Sequence, residues 1–541
     1  MATPMECHCI RTSELPHTSK LFAAFLDDFH RVATFYGHPP TDEGVELSAR
    51  EIQYAAETRG AVVTILEEQN RSFGADESTT RSLERFASGA VAVVTGQQVG
   101  LFGGPAFSFY KALTAIELAR RLTDRGTDAV PVFWLATEDH DLAEINHWDW
   151  HAPSEGGGLK RIEVPAPGAA GRRVGEILLG APVEPAVTAA EELLKGSDRD
   201  AIIAALRESY RPEQTFGSAF GKFMARLLRG RGMIFLDPLD ARLHRLALPV
   251  YRRALDECFG LGKELVARGK ALEKAGFHAQ VRVSEPSTLL FYSVAGERLA
   301  LRPRNKGFAA GRFTFTSDEL HEALEATPEA FSANVLLRPV VQDSLLPTAA
   351  YVGGAAEIAY FAQCEVVYRR ILGRMPAVVP RSSFTLVEPP VAALLKKYGL
   401  DLRDVWRGRQ HLRAKMQQQF LSRGLARQFD AGEKSIRTLL ERLRTPVGKL
   451  DLTLLGALER AQGRMLYQFL KLRGKAGRAE SQRTGILDRH ERILLDALYP
   501  HHALQERTLG FPGFLSGHGL GLLDELGSRA REFHQHQILF L

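Results

Sequence analysis

Two short apolar runs, joined by a glycine-rich turn and a helix, limit the fold more than any other feature of this chain. Ala90-Val-Ala-Val-Val-Thr95 and Val130-Pro-Val-Phe-Trp-Leu-Ala136 carry almost no charge or polarity. Strands buried on both faces read this way, and they belong to parallel sheets. Between them lie the glycine-rich stretch Gly96–Pro105 and a segment from Phe107 to Leu122. In that segment Phe109, Ala112, Leu113, Ile116 and Ala119 share one face at helical spacing. Gly126 is a natural helix stop. Strand, turn, helix and strand make one βαβ unit.

The rest of the chain is read outward from that unit. At 541 residues it exceeds what one core supports, so two or three folding units are expected. Residues 17 to about 88 have helical periodicity, with Leu21, Phe22, Phe25, Leu26 and Phe29 as one stripe. Gly232-Met-Ile-Phe-Leu-Asp237 and Ala377-Val-Val-Pro380 read as further parallel strands. Mixed segments at about 151–212 and 277–330 read as insertions, the second as an antiparallel module with a turn at Ala295-Gly296-Glu297. The fold class is therefore α/β: a Rossmann-like parallel-sheet core over residues 1–388 with inserted connecting segments.

Past Glu388 the composition turns to Leu, Arg, Lys, Glu and Gln, and Pro446 is the one proline from Val391 to Tyr499. Ile436, Leu440 and Leu443 form one apolar stripe, and Leu450, Leu454, Ala457, Ala461 and Met465 another. Thr445-Pro-Val-Gly448 is expected to separate them. Residues 389–500 are thus an all-α antiparallel coiled-coil arm, and 501–541 return to the core. A first helix of about 44 residues would reach about 66 Å. An arm of that reach suits a coiled coil that holds a homodimer together.

Charge and cysteine usage exclude other classes. A net charge of +5, from 69 basic and 64 acidic residues, gives no concentrated basic face for nucleic acid. Four scattered cysteines suit a reducing cytoplasm. No signal peptide or apolar stretch of membrane-spanning length is expected.

Three clusters carry candidate chemistry. The first is Thr95-Gly-Gln-Gln-Val-Gly-Leu-Phe-Gly-Gly-Pro105. Gly96, Gly103 and Gly104 allow tight turning and close ligand approach. Gln97 and Gln98 offer amides that donate and accept. The following helix adds Tyr110 and Lys111, and its N-terminus favours an anion. The sequence is neither G-x-G-x-x-G nor a P-loop. A purely structural tight turn explains one or two of the glycines, but not the paired glutamines.

The second cluster is Glu138-Asp139-His140-Asp141, directly after a strand, where ligands of open α/β sheets bind. Three carboxylates around His140 would orient it, raise its pKa and make it a general base. They would equally suit a divalent metal, or form a solvated acidic turn. The third cluster spans Asn334, Arg338, Gln342, Gly353, Gly354, Glu357 and Tyr360. Arg338 offers a fork for carboxylate or phosphate, with a surface ion pair as the plainer reading. Lesser candidates are Gly37-His38, read as a loop, His278-Ala-Gln280, read as structural, and the basic stretch Lys471–Arg478, read as a solvated face.

At these motifs, and at Leu504-Gln-Glu-Arg507, the chain resembles the BshC family, named for cysteine ligation in bacillithiol biosynthesis. The resemblance covers about residues 15 to 540. It implies a Rossmann-like core, a dimerising C-terminal coiled coil, and the joining of cysteine to glucosaminyl-malate. The core is similar to that of class I aminoacyl-tRNA synthetases, which activate amino acids with ATP. Their His-x-Gly-His is absent here, since Gly-Leu-Phe-Gly-Gly104 stands in its place, and no Lys-Met-Ser-Lys-Ser loop is present.

The expected mechanism activates cysteine's carboxylate with ATP or another nucleotide on the glycine-rich loop. His140 or a neighbouring carboxylate deprotonates the sugar amine, Arg338 holds malate carboxylates or a phosphate, and Gln97 and Gln98 orient substrate. Two other classes compete: an adenylating or nucleotidyltransferase-like enzyme on another small substrate, and a non-catalytic dimeric scaffold.

Overall fold

A five-stranded, all-parallel sheet forms the centre of the computed structural model. Its strand order is Ala377–Pro380, Thr348–Gly353, Val91–Gln97, Ala129–Leu135 and Ile234–Leu236. The model describes residues 5–151, 158–169, 171–283, 287–294, 296–304, 307–419 and 423–541. The two runs first read as strands lie side by side, with Thr95 opposite Phe133 and Gln97 opposite Leu135. The helix Phe107–Asp124 crosses between them and packs on both.

The order reveals where the chain reverses direction across the sheet. From the central strand Val91–Gln97 it adds Ala129–Leu135 and then Ile234–Leu236 on one side. It then crosses to Thr348–Gly353 and Ala377–Pro380 on the other. The switch point lies between the carboxyl ends of Val91–Gln97 and Thr348–Gly353, where such sheets open a crevice.

The insertions differ in kind. His147–His151 and Leu159–Glu163 pair antiparallel, and helices Val183–Leu193 and Arg199–Ser209 follow. Val183, Ile202 and Leu206 join the main core, so this segment is part of the sheet domain and not a separate unit. The second insertion builds a five-stranded antiparallel sheet from strands between Leu290 and Ala333. Ala295 of its first turn lies outside the described residues.

A three-stranded sheet ties the chain ends together. Cys7–Arg11 runs antiparallel to Gln535–Phe540, which lies parallel to Ser383–Val387. Cys7–Arg11 was not legible as a strand, because Cys-His-Cys-Ile-Arg has no apolar alternation. A second core, including Val391, Leu395, Val405, Leu412 and Leu494, roots the helical arm.

The arm departs from expectation in two ways. Its first limb is not one helix of 44 residues, because Gly408 adopts a left-handed conformation (φ +88°) between Leu402–Trp406 and Arg409–Gln419. The helix that continues the limb is Arg423–Leu450, 28 residues long. That helix also runs straight through Pro446, so the turn is not at Thr445–Gly448. The proline costs the helix the bond from position 446 to the Arg442 carbonyl, yet the helix continues to Leu450. The turn comes at Asp451-Leu-Thr453, where Asp451 Oδ1 accepts from the Thr453 amide at 2.8 Å. Leu454–Thr484 then returns antiparallel, with Leu440, Leu466 and Phe429 buried in the seam. Among the described residues no helix is long and apolar enough to cross a membrane.

Candidate active site

The crevice at the switch point is a cavity of about 640 Å³, within the usual range for small-molecule sites. All three candidate clusters reach it. The first strand ends in Gly96, where an added Cβ would come within 2.9 Å of the Trp134 carbonyl oxygen. Glycine there lets two strands run close. Gln97 Oε1 accepts from Lys111 Nζ at 2.8 Å, and Lys111 also donates to the Gly96 carbonyl at 2.9 Å. Lys111 completes its set with an ion pair to Glu357. Glu357 in turn accepts from Tyr351 Oη at 2.6 Å and from the Gly354 amide at 2.7 Å. A buried lysine is thus neutralised by a carboxylate that also caps the helix Ala355–Ile371. Burial raises the Glu357 carboxyl, but Lys111 and the Gly354 amide outweigh it and leave the group below its usual range.

Gln98 clamps the second cluster. Its amide nitrogen donates to Asp139 Oδ2 and to Glu144 Oε2, each at 2.8 Å. The carboxylates do not enclose His140 as expected. Asp139 Oδ1 accepts from the His140 amide at 2.7 Å and stands 3.6 Å from the ring nitrogen. Asp141 turns away to cap Glu144, and Glu138 is buried at the cavity wall. The ring itself meets a cation: Arg298 Nη1 donates to His140 Nδ1 at 3.0 Å. Arg298 comes from the inserted antiparallel sheet and is fixed by Ser332 Oγ, the Ala333 carbonyl and the Phe291 ring. Among the described residues no group of three or more His, Cys, Asp or Glu side chains is placed to hold a metal ion.

Glu138 is the perturbed carboxyl of the site. Burial raises it to about 7, against the pull of Arg173, Arg298 and Arg338. A carboxyl poised near neutrality is suited to acid–base work.

Arg338 is not in a surface ion pair. Its fork donates to Tyr360 Oη at 2.8 Å, Gln342 Oε1 at 3.3 Å and Tyr351 Oη at 3.4 Å, all neutral. Its charge therefore remains available to an anion. Asn334 borders the cavity while its Oδ1 accepts from the Leu336 and Leu337 amides. Two further arginines, Arg381 and Arg507, border the same space. Arg381 pairs with buried Glu506 at 2.6 Å. With Lys111 they surround the Phe107 ring at 5.4 to 5.9 Å.

Several expected site residues lie elsewhere. Thr95 is buried and spends its hydroxyl on the Val352 carbonyl at 2.8 Å. Tyr110 is fully buried against Phe384 and Phe511. Gln342 is buried and reaches the cavity only through Arg338. Gly353 borders a second cavity of about 570 Å³, which shares Gly354, Ala355, Ala356, Arg381 and Arg507 with the first. His278, read as structural, also borders that second cavity.

Gly103 serves packing, whereas Gly104 supplies a left-handed backbone conformation (φ +67°). A Cβ on Gly103 would meet the Phe109 ring at 2.9 Å, and its amide donates to Tyr210 Oη at 3.1 Å. The Ala106 amide donates to the Leu509 carbonyl at 2.9 Å. The Gly103 and Ala106 amides are therefore engaged by protein, and the loop's latter half does not line the main cavity. Sequence reasoning missed Arg298 and Arg381, which stand in no local pattern. It reached Arg507 only through the motif Leu504–Arg507.

Comparison with known proteins agrees with this architecture. Residues 5–382 match the family model described as bacillithiol biosynthesis BshC, N-terminal Rossmann-like domain. Residues 384–541 match its C-terminal coiled-coil domain. A protein of Koribacter versatilis named "Putative cysteine ligase BshC" is 43% identical over 98% of this chain and 99% of its own length. Proteins of the same name from Solibacter usitatus and Salinibacter ruber are 37% and 33% identical, over 96% and 100% of both chains. With two matching domain models end to end and relatives of equal extent, the chain belongs to the bacillithiol biosynthesis BshC family.

Proposed function

We propose that this chain is a ligase that forms the amide bond between L-cysteine and glucosaminyl-malate, the last step of bacillithiol biosynthesis. The observation that carries this reading is one cavity that holds both a near-neutral carboxyl, Glu138, and an arginine without a carboxylate partner, Arg338. The substrates need both. The sugar amine must lose a proton before it attacks, and Glu138 is the group placed to take it. Malate carries two carboxylates, for which Arg338 supplies a planar fork. Names borne by the relatives point to the same substrate class.

The amine nitrogen attacks the activated cysteine carbonyl, the C–N bond forms, and the activating group leaves with its electron pair. A nucleotide, ATP or another, is proposed to supply that activation. Its phosphates would be held by Arg381 and Arg507 and not by the glycine-rich loop. His140, with Nδ1 occupied by Arg298, presents Nε2 as its free ring nitrogen. A neutral ring whose Nδ1 accepts carries its proton on Nε2, so we assign His140 to donating to a substrate oxygen and orienting it. The protein is proposed to act in the cytoplasm as a homodimer joined through its arm.

Purified protein supplied with L-cysteine, glucosaminyl-malate and ATP is expected to yield the thiol product, detected by mass spectrometry after alkylation. Glu138→Gln should reduce the rate by about 100-fold or more. Folded wild-type protein that makes no product under these conditions would overturn the reading.

A further inference from the structure

The floor of the cavity holds two buried polar atoms that lack any hydrogen bond: Glu138 Oε1 and His244 Nε2. They stand 3.5 Å apart. Their side chains are 11% and 1% exposed. Buried polar atoms are almost always paired, so two orphans facing one another call for a common explanation. The gap is too short to admit a bridging water, so the two atoms face one another directly, with the Phe331 and Pro238 carbonyls and the Glu329 carboxyl also near the ring. A small closing movement makes the bond.

The far side of the ring is already engaged. His244 lies on the helix Ala241–Asp256, and its Nδ1 is 3.2 Å from Tyr251 Oη, two turns along the same face. With the Tyr251 hydroxyl donating to Nδ1, one of the two directions this contact allows, the neutral ring carries its proton on Nε2. That proton then points at Glu138 Oε1. Oε2 is left to the cavity that the side chain lines.

We infer that Tyr251, His244 and Glu138 form a buried triad in which His244 is a positioning residue, holding the Glu138 carboxyl with Oε2 turned to the substrate. No proton leaves the triad in either state. With Glu138 ionised, Nε2–H donates to Oε1. After Oε2 takes a proton from a substrate amine, the same N–H still donates to Oε1. The catalytic part of this inference rests on the ligase reading, whereas the triad itself does not.

The surroundings favour a neutral ring. Burial and then Arg173 lower His244 to about 4, while Glu329 and the carbonyls of Phe331 and Pro238 oppose them. Arg173, Arg298 and Arg338 face Glu138 from three other elements. Asp237, with Asp240 nearby, is close enough for Glu138 to raise it further.

The test is spectroscopic and needs no ligase activity. In protein labelled with ¹⁵N-histidine, His244 is expected to carry its proton on Nε2 and to stay neutral from pH 8 to pH 5. The infrared carboxylic-acid band removed by Glu138→Gln reports the Glu138 titration. In His244→Phe its midpoint should rise by about one pH unit, because a buried donor to the carboxylate is lost. His244→Gln, whose amide can donate, should restore most of that change. Tyr251→Phe should mix the two ring tautomers. A wild-type ring protonated on Nδ1, or a midpoint unmoved in folded His244→Phe, would overturn the triad. Should His244→Phe not fold, the wild-type tautomer and its response to Tyr251→Phe decide. Failure of the ligase assay with these signals intact would reject the ligase reading alone.

Discussion

Glu138 makes a claim on stability as well as on chemistry. Burial raises its carboxyl from 4.5 to about 7. The folded state therefore binds a proton that the unfolded chain has already released between those values. Stability is fully present below pH 4.5 and is lost as pH rises through 7. Each pH unit in that window costs about 1.4 kcal/mol, so about 3 kcal/mol is at stake. Glu138→Gln cannot ionise. Denaturation from pH 4 to 8 should show the variant gaining on the wild type by that amount toward neutral pH. A constant difference would place the carboxyl in a more solvated setting. Arg338 gives a second test at this scale. Its fork spans Tyr360, Tyr351 and Gln342, which a single ammonium cannot do. Arg338→Lys should weaken binding of an anionic substrate by about 10-fold in calorimetry, in keeping with loss of one charge-assisted bond. Glu138 and Arg338 were legible in sequence, because each stands in a polar cluster beside a strand or glycine pair. Arg298 was not, since only the folding of the inserted sheet brings it 158 positions back to His140.

Among elements, those with a strong period were legible and those fixed by packing were not. Val91–Gln97, Phe107–Asp124 and Ala129–Leu135 follow from apolar pattern alone. The docking of the C-terminal segment does not. It depends on Gly510, where a Cβ would lie 1.7 Å from Trp148 Nε1, and on Gly513, where it would lie 2.5 Å from the Trp150 ring. These glycines are needed for space and not for backbone freedom, since Gly510 has φ −75°. The same segment carries Glu506 and Arg507 to the cavity. Gly510→Ala should therefore destabilise the protein by about 2 kcal/mol through overpacking. Hydrogen exchange should quicken over 501–518, and affinity for anionic substrate should fall with it. A variant with unchanged exchange there would show that the Trp148 side chain yields without cost. Pro446 misled for a related reason. A proline reads as a helix end, but this one loses only its own bond to the Arg442 carbonyl, and packing of the two long helices carries the helix past it.

At the scale of the whole molecule, the switch point could not be read from sequence. Neighbouring strands in sequence are usually neighbours in space, and nothing local announces that Thr348–Gly353 sits beside Val91–Gln97. The arm poses a different question, because its apolar surface exceeds what its own seam buries. Leu440 and Leu466 are enclosed between its two helices, yet Leu439 is 60% exposed and Met465 53%. Ile436, Met465, Phe469 and Leu472 line a shallow apolar groove contributed by both helices. Leu450 and Leu452, at 82% and 75%, continue the exposed surface to the tip. An exposed apolar surface of this extent fits an interaction surface. A second copy of the same arm offers the same surface, and a two-fold contact between identical patches closes on itself. A catalytic monomer would have no use for that surface, and a pure scaffold would have none for the buried Glu138–His244 pair. Sedimentation should find the wild type as a dimer at micromolar concentration. Met465→Glu with Leu472→Glu should yield a monomer of unchanged helix content, because four buried charges per dimer would face an apolar groove. A monomeric wild type, or a dimer indifferent to those charges, would move the interface off this face of the arm.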